Sequence, residues 1–261
     1  MAAAPPQIFA ERRRIARRIR ALALQQRPDA ARFLGELVAE DMLERLAFLR
    51  HQPARALVIG DPAGMVSGPL EAGGAEVVRA DIAGPSAVAL DQPFPFGGFD
   101  LIAVMGLLDT INDLPGALIH IRRALAPGGL ALASFGGAGS LPALRSAIFA
   151  AEPDKPAARM HPLVDARAGA GLLQRAGWTD PVTDMREIPV SYRSLDRLLG
   201  DLREQGLGAV LASPTPPLTR AALARARAAF LDGADEHGRV TETYAILTLS
   251  GRSPAKPSPV R

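Results

Sequence analysis

The sequence predicts an α/β fold, a doubly wound and mostly parallel sheet with helices ahead of it and a helical elaboration toward its end. Three observations predict this. Short apolar runs alternate with stretches of helical period, the pattern of right-handed βαβ crossovers. The run Phe99 to Met105 does not alternate with polar residues, as expected of a strand covered on both faces. The first run ends in a glycine-containing turn at Gly60 to Gly64, and the second closes on an acid, Asp81.

Taken in order, Ile8 to Gln26 is a helix in which Ile8, Ile15, Ile19 and Leu22 would form the apolar stripe while Arg12, Arg13, Arg14, Arg17, Arg18 and Arg20 face water. A solvated arginine face is the favoured reading over phosphate binding or targeting, because charge runs are usually solvated. Pro28 and Asp29 start a second helix that keeps its period through Leu34, Val38, Met42 and Leu46 to about His51. Strands are predicted at Ala54 to Ile59, Glu76 to Ala80, Ala87 to Leu90, Phe99 to Met105 and Leu130 to Phe135. Asp113 caps a helix with Pro115 in its first turn, which Pro127, Gly128 and Gly129 stop. Helices follow near Leu141 to Ala151, Val164 to Ala176, Ser194 to Gln205 and Leu218 to Leu231, with strands near Pro181 to Ile188 and Val240 to Ser250. Thr241 to Thr248 alternates as an antiparallel edge strand would. The implied organisation is a helical extension over 1–52, the α/β domain over 53–252 that includes lid helices over 194–231, and a disordered tail over 253–261.

Composition narrows the chemistry. The 261 residues are 48% hydrophobic and 22% charged, an ordinary globular balance, and no apolar run approaches the roughly 20 residues of a membrane helix. Cysteine is absent, which excludes disulfides, thiolate metal sites and a cysteine nucleophile. The net charge of +3 gives no strong field for nucleic acid. No secretory signal is expected, and a cytoplasmic location follows. His51, His120, His161 and His237 show no metal-ligand spacing, so no metal is assigned and each reads as a surface or loop histidine.

In a sheet of this kind ligands bind beyond the carboxyl ends of the strands. The glycines at 60, 64 and 68 satisfy neither the P-loop nor the G-x-G-x-x-G fingerprint. Asp81 reads either as an acid that accepts two ribose hydroxyls or as a solvated loop acid. Asp109 and Asn112 fall beyond the central strand, and Asp109 is the first choice for a polar group at a reaction centre. Trp178, after Gly177 at a strand entry, reads as core.

The order of two helices, glycine turn, acid after the second strand, Phe99-Asp100-Leu101-Ile102 and Leu125-Ala126-Pro127-Gly128-Gly129 resembles the class I S-adenosylmethionine-dependent methyltransferases. Ile8-Phe9 before an arginine-rich helix, Asn112-Asp113-Leu114-Pro115, Leu144-Arg145, Arg175-Ala176-Gly177-Trp178, Tyr192, Asp201-Leu202-Arg203 and Thr243-Tyr244 are similar to the complex I assembly factor 5 family, arginine hydroxylases and bacterial methyltransferase relatives. The resemblance implies a Rossmann-like fold, S-adenosylmethionine as cofactor, and methyl transfer to a small-molecule or protein acceptor. It implies as alternatives a non-catalytic assembly factor for a respiratory complex I subunit, peripheral at the inner membrane, or an arginine hydroxylase. The implied cofactor residues are Gly60, Asp61, Gly64, Asp81, Asp91 and Met105, with Asn112, Arg145, Tyr192 and Arg203 toward substrate or partner. Departures from the family pattern are Val58 for the acid of the first strand, Pro62 for the middle glycine of the turn, Asp109-Thr110 for a His-Trp pair, and Asp91 one place late after Leu90. A turn so altered implies weakened or lost cofactor binding, with Asp61 as a substitute acid.

Overall fold

A computed structural model describes residues 7–154, 156–213 and 215–255. Its elements, in chain order, are α1 (Glu11–Leu24), α2 (Phe33–Phe48), β1 (Arg55–Ile59), α3 (Ser67–Ala72), β2 (Glu76–Ala80), β3 (Phe99–Met105), α4 (Leu114–Ala124), β4 (Leu125–Gly136), α5 (Pro142–Ala151), α6 (Ala166–Arg175), β5 (Thr179–Tyr192), α7 (Leu195–Glu204), α8 (Arg220–Leu231) and β6 (Val240–Arg252). The six strands form one sheet in the order β2-β1-β3-β4-β6-β5. β2, β1, β3 and β4 run parallel, and β6 pairs antiparallel with both β4 and β5. Chain order reverses between β1 and β3, so the crevice for a ligand opens where these two strands end.

The core lies on both faces of the sheet. On one face Leu57, Ile59, Ile102 and Val104 meet Leu118 and Ile121 of α4 and Leu173 of α6. On the other, Ala56, Val58, Leu101 and Ala103 meet Val38, Met42 and Leu46 of α2. β3 is almost wholly buried, which is why its sequence does not alternate. A third apolar cluster joins α5, α7 and α8 to the far end of β6 through Leu144, Leu198, Phe230 and Tyr244. Trp178 is buried and donates its indole N–H to the Leu118 carbonyl.

Four local expectations change. Ala87 to Leu90 is not a strand, and makes a single bridge from Ala87 to Asp81. Pro85, Pro93 and Pro95 flank that stretch and withhold ladder donors, while Leu90 is buried as a loop anchor. β6 is not an edge strand, since it lies between β4 and β5. Its polar positions have protein partners instead of water: the Thr248 hydroxyl meets the Ser134 hydroxyl at 2.9 Å, and buried Glu242 accepts the amides of Ala143 and Leu144 at the start of α5.

Helix α4 stops at Ala124, and β4 already begins at Leu125, running through Pro127-Gly128-Gly129 with an irregularity opposite Phe99. Gly129 is required there, because a Cβ would lie 2.7 Å from the Phe99 carbonyl oxygen. The largest change is in α1, whose face toward the protein carries Arg14, Arg17, Arg18 and Ala21, while Ile19 is 55% exposed. Arg14, only 3% exposed, would be costly there without partners, and the site below supplies the acids and carbonyls that favour this face.

Of the expected tail, residues 256–261 lie outside the described residues, and Ser253 still exchanges backbone bonds with Gly128 and Gly129. Among the described residues no helix is long and apolar enough to cross a membrane.

Candidate functional site

Beyond the ends of β1 and β3 lies a cavity of about 370 Å³, walled by the loops after these strands, by α1 and α2, and by α5 and α7. The turn after β1 is shaped by Gly60 at φ +88°, where a Cβ would lie 2.5 Å from the Met105 carbonyl oxygen. The two strand ends therefore approach at van der Waals distance only because residue 60 has no side chain. Asp61 and Pro62 line the cavity, yet the Asp61 carboxylate is turned into its own loop. It accepts the amides of Met65, Val66 and Ser67 and the Ser67 hydroxyl at 2.8 to 3.0 Å. Asp61 thus holds the turn in shape instead of standing in for the missing acid at residue 58, whose valine side chain packs with α2.

Asp81 ends β2 beside the same crevice and is chelated by Arg18 of α1. Arg18 Nε lies 2.9 and 3.1 Å from the two carboxylate oxygens, and Nη2 lies 2.6 Å from Oδ2. The Ile82 amide adds a bond of 2.7 Å to Oδ1. Both side chains of the ion pair are about 15% exposed, and it is Arg18, not Asp81, that faces the cavity. Helix α1 is fastened over the crevice at both ends. Asn112 accepts the amides of Ile8 and Phe9 and donates to the Phe9 carbonyl, while Arg17 and Gln25 donate to the carbonyls of Gly208 and Glu204.

Asp109, in the loop after β3, lines the cavity and is half-buried; its Oδ1 atom is buried and has no hydrogen-bond partner among the described residues. Burial pushes its carboxyl above the usual carboxylate range, and the charges of Arg17 and Arg14 oppose that rise. The two guanidiniums are themselves held below their ordinary value by burial. His161 faces the cavity from the loop after α5 and accepts the Val210 amide at Nε2, 2.8 Å away, which fixes the proton of the neutral ring on Nδ1. Burial and the nearby Arg17 charge lower its pKa to about 4.

The structure brings Gly60, Asp61, Met105, Asp109 and Arg203 to one cavity, with Asp81 one side chain away behind Arg18. Gly64, Asp91, Asn112, Arg145 and Tyr192 are not among its lining residues. Asn112 is the clasp of the N-terminal segment, and Arg145 is exposed on α5. Tyr192 is 3% exposed, with its hydroxyl 2.8 Å from that of Tyr244, so it cannot anchor a partner on the surface. Arg18, His161 and Tyr244 are the lining residues that sequence reasoning missed as site groups. Arg18 had a signal, since the i, i+3, i+4, i+7 set Arg14, Arg17, Arg18 and Ala21 also defines a helix face. Among the described residues no group of three or more His, Asp or Glu side chains gathers as metal ligands.

Comparison with known proteins agrees with this architecture. A scan against protein-family models finds no match. The chain is 31% identical over 249 residues to a malonyl-[acyl-carrier protein] O-methyltransferase of Halorhodospira halophila, covering 86% of this chain and 83% of that one. It is 29% identical over 163 residues to the human mitochondrial arginine-hydroxylase NDUFAF5, spanning 61% of this chain and 47% of that protein. Among solved structures, the Burkholderia thailandensis 1,6-didemethyltoxoflavin-N1-methyltransferase with bound S-adenosylhomocysteine superposes with a TM-score of 0.52 at 15% identity, covering 96% of this chain and 93% of that one. That last likeness shows the fold. With a 31% identical relative matched over most of both chains and a sheet whose β1/β3 crevice holds the cavity, the chain belongs to the class I S-adenosylmethionine-dependent methyltransferases.

Proposed function

We propose that the cavity between β1, β3 and α1 binds S-adenosylmethionine and places its methyl group beside Asp109. The observation that carries this is the buried Oδ1 of Asp109 at the strand-end crevice, a polar atom that no hydrogen bond among the described residues satisfies. The donor set fits the cofactor in two further respects. The Gly60 turn lets backbone approach closely, and Asp81 is a carboxylate at the position suited to two hydroxyls.

When bound, S-adenosylmethionine supplies an electrophilic methyl group on a sulfonium, so the protein's own task is alignment and proton handling. Gly60, Met105 and Gly106 line the part of the cavity that would hold the donor. The Asp109 carboxyl accepts a proton or hydrogen bond from the acceptor, and the upward shift of its pKa by burial favours holding that proton. His161, neutral with its Nδ1 proton available, is a hydrogen-bond donor on the same cavity. α1 excludes water from above.

The four hydrogen bonds on the Asp81 carboxylate use its roughly four lone-pair sites, so ribose hydroxyls must displace Arg18 to reach it. This supports an attenuated affinity for the cofactor, with Arg18 more than Pro62 as its source. Calorimetric titration with S-adenosylmethionine and S-adenosylhomocysteine tests the proposal. Saturable binding of both, lost in Asp81→Ala and retained in Asp109→Asn, is the expected result. No heat with either ligand, in a folded chain, favours instead the second reading, a non-catalytic assembly protein for a respiratory complex I subunit, for which the Arg18–Asp81 closure is the supporting observation.

A further inference from the structure

The cavity has a second half that the cofactor residues do not account for. Away from the strand ends its wall is built by Leu34 of α2, Leu144 and Ile148 of α5, Leu199 and Leu202 of α7, and Tyr244 of β6. These side chains belong to, or pack on, the apolar cluster between α5, α7 and α8, and Ile148 and Leu199 are only partly buried. They therefore leave apolar surface facing the cavity.

The charged groups on this side are committed elsewhere. Arg32 donates to the carbonyls of Gln25, Arg27, Pro28 and Ala30. Arg159 is paired through two bonds with Glu152, at 2.8 and 2.6 Å, and donates to the Pro216 carbonyl. Glu204 accepts the Ala31 amide and faces Arg27. His161 is neutral. Among the described lining residues Arg203 is exposed, which puts it at the mouth. The Tyr244 hydroxyl is already bonded to Tyr192. A charged group lodged on this side would be desolvated with only Glu204 as counter-charge, and that carboxylate is already engaged by the Ala31 amide and Arg27. A linear apolar chain would lose only its contact with water, which is favourable.

We infer that this half of the cavity binds a linear apolar chain, and that the methyl acceptor is therefore an acyl- or alkyl-chain compound whose reactive end lies toward Asp109 and whose chain runs between α2, α5 and α7. The word acceptor rests on the methyl-transfer reading above; the chain site itself does not.

The probes are the straight-chain alcohols from 1-butanol to 1-dodecanol, titrated against the 261-residue chain by displacement of the neutral dye N-phenyl-1-naphthylamine. Affinity should rise roughly three- to fourfold per added methylene until the cavity is filled. Leu199→Trp, which narrows the wall without burying a charge, should shorten the longest chain that still gains, and Ile148→Asp should flatten the series. Binding of S-adenosylhomocysteine, measured on the same samples, should change less than threefold in Leu199→Trp. A flat series in the unmodified protein, with S-adenosylhomocysteine still bound, overturns the inference and leaves methyl transfer standing. A series unchanged in both variants overturns it too, because the chains then bind elsewhere. A steep series that the variants alter, without any S-adenosylhomocysteine binding, supports the chain site and removes the methyl-transfer reading instead.

Discussion

Asp109 and His161 face one cavity with their acid-base chemistry shifted in opposite senses by the same cause, loss of water. For Asp109 the neutral form is favoured, so a step that needs its carboxylate should fail at a higher pH than it would for an exposed acid. The acid limb of kcat/KM should therefore sit above the ordinary carboxylate range, and Asp109→Asn should remove that limb while lowering kcat by roughly 10² to 10⁴. Single-turnover rates across pH check this, and an unchanged limb in the variant would assign it to another group. For His161 the folded value of about 4 lies below the ordinary 6.5. The unfolded chain then binds the extra proton first, so stability declines as pH falls from about 6.5 toward 4 and levels off below. Discounted for partial exposure, the loss is on the order of 2 kcal/mol. Urea unfolding at pH 7 and pH 4.5 should show a smaller difference for His161→Gln than for the unmodified chain.

At the scale of elements, α1 decides access. It carries Arg18 to Asp81, is clasped by Asn112 at its start and tied by Gln25 at its end. If Arg18 competes with ribose, Arg18→Met should raise S-adenosylhomocysteine affinity by about tenfold, the inverse of a partly buried charge-assisted pair of roughly 1.5 kcal/mol. A fall in affinity on calorimetry would instead make Arg18 a direct binding residue. Asn112→Ala removes three bonds to the N-terminal segment and should speed amide exchange over residues 8–14, read by mass spectrometry, with α4 unaffected because Asp113 still caps it. The helices other than the short α3, most strands and the Asp113 cap were legible from period and end signals. The inward face of α1 was not, because helical period identifies faces and only the partner surface decides which face turns in. Ile15, Ile19 and Leu22 make as good a stripe as Arg14, Arg18 and Ala21 until Asp81, Asp109 and the Gly208 carbonyl are placed opposite.

For the whole molecule, a ligand that spans β1, β3 and α1 links both faces of the sheet to the N-terminal helices, so its binding should raise global stability. S-adenosylhomocysteine at 100 times its Kd should add about 2.7 kcal/mol, or a rise in Tm of roughly 5 to 11 °C for a domain of this size. Differential scanning fluorimetry reads it directly, and Asp81→Ala should abolish most of the rise. The sequence by itself determined the alternation of strands and helices, the central buried strand, the absence of thiol chemistry and the family pattern, because each is written in local period, composition or spacing. Only the tertiary structure decided that β6 is interior, that Asp61 closes its own turn, that Tyr192 is buried, and that Arg18 stands before Asp81. The Asp61 turn depends on backbone conformation over the next six residues, and the others depend on what lies across a space from a residue, sixty or more positions away in the chain for Arg18 and Asp81, a neighbour of which a one-dimensional pattern carries no record.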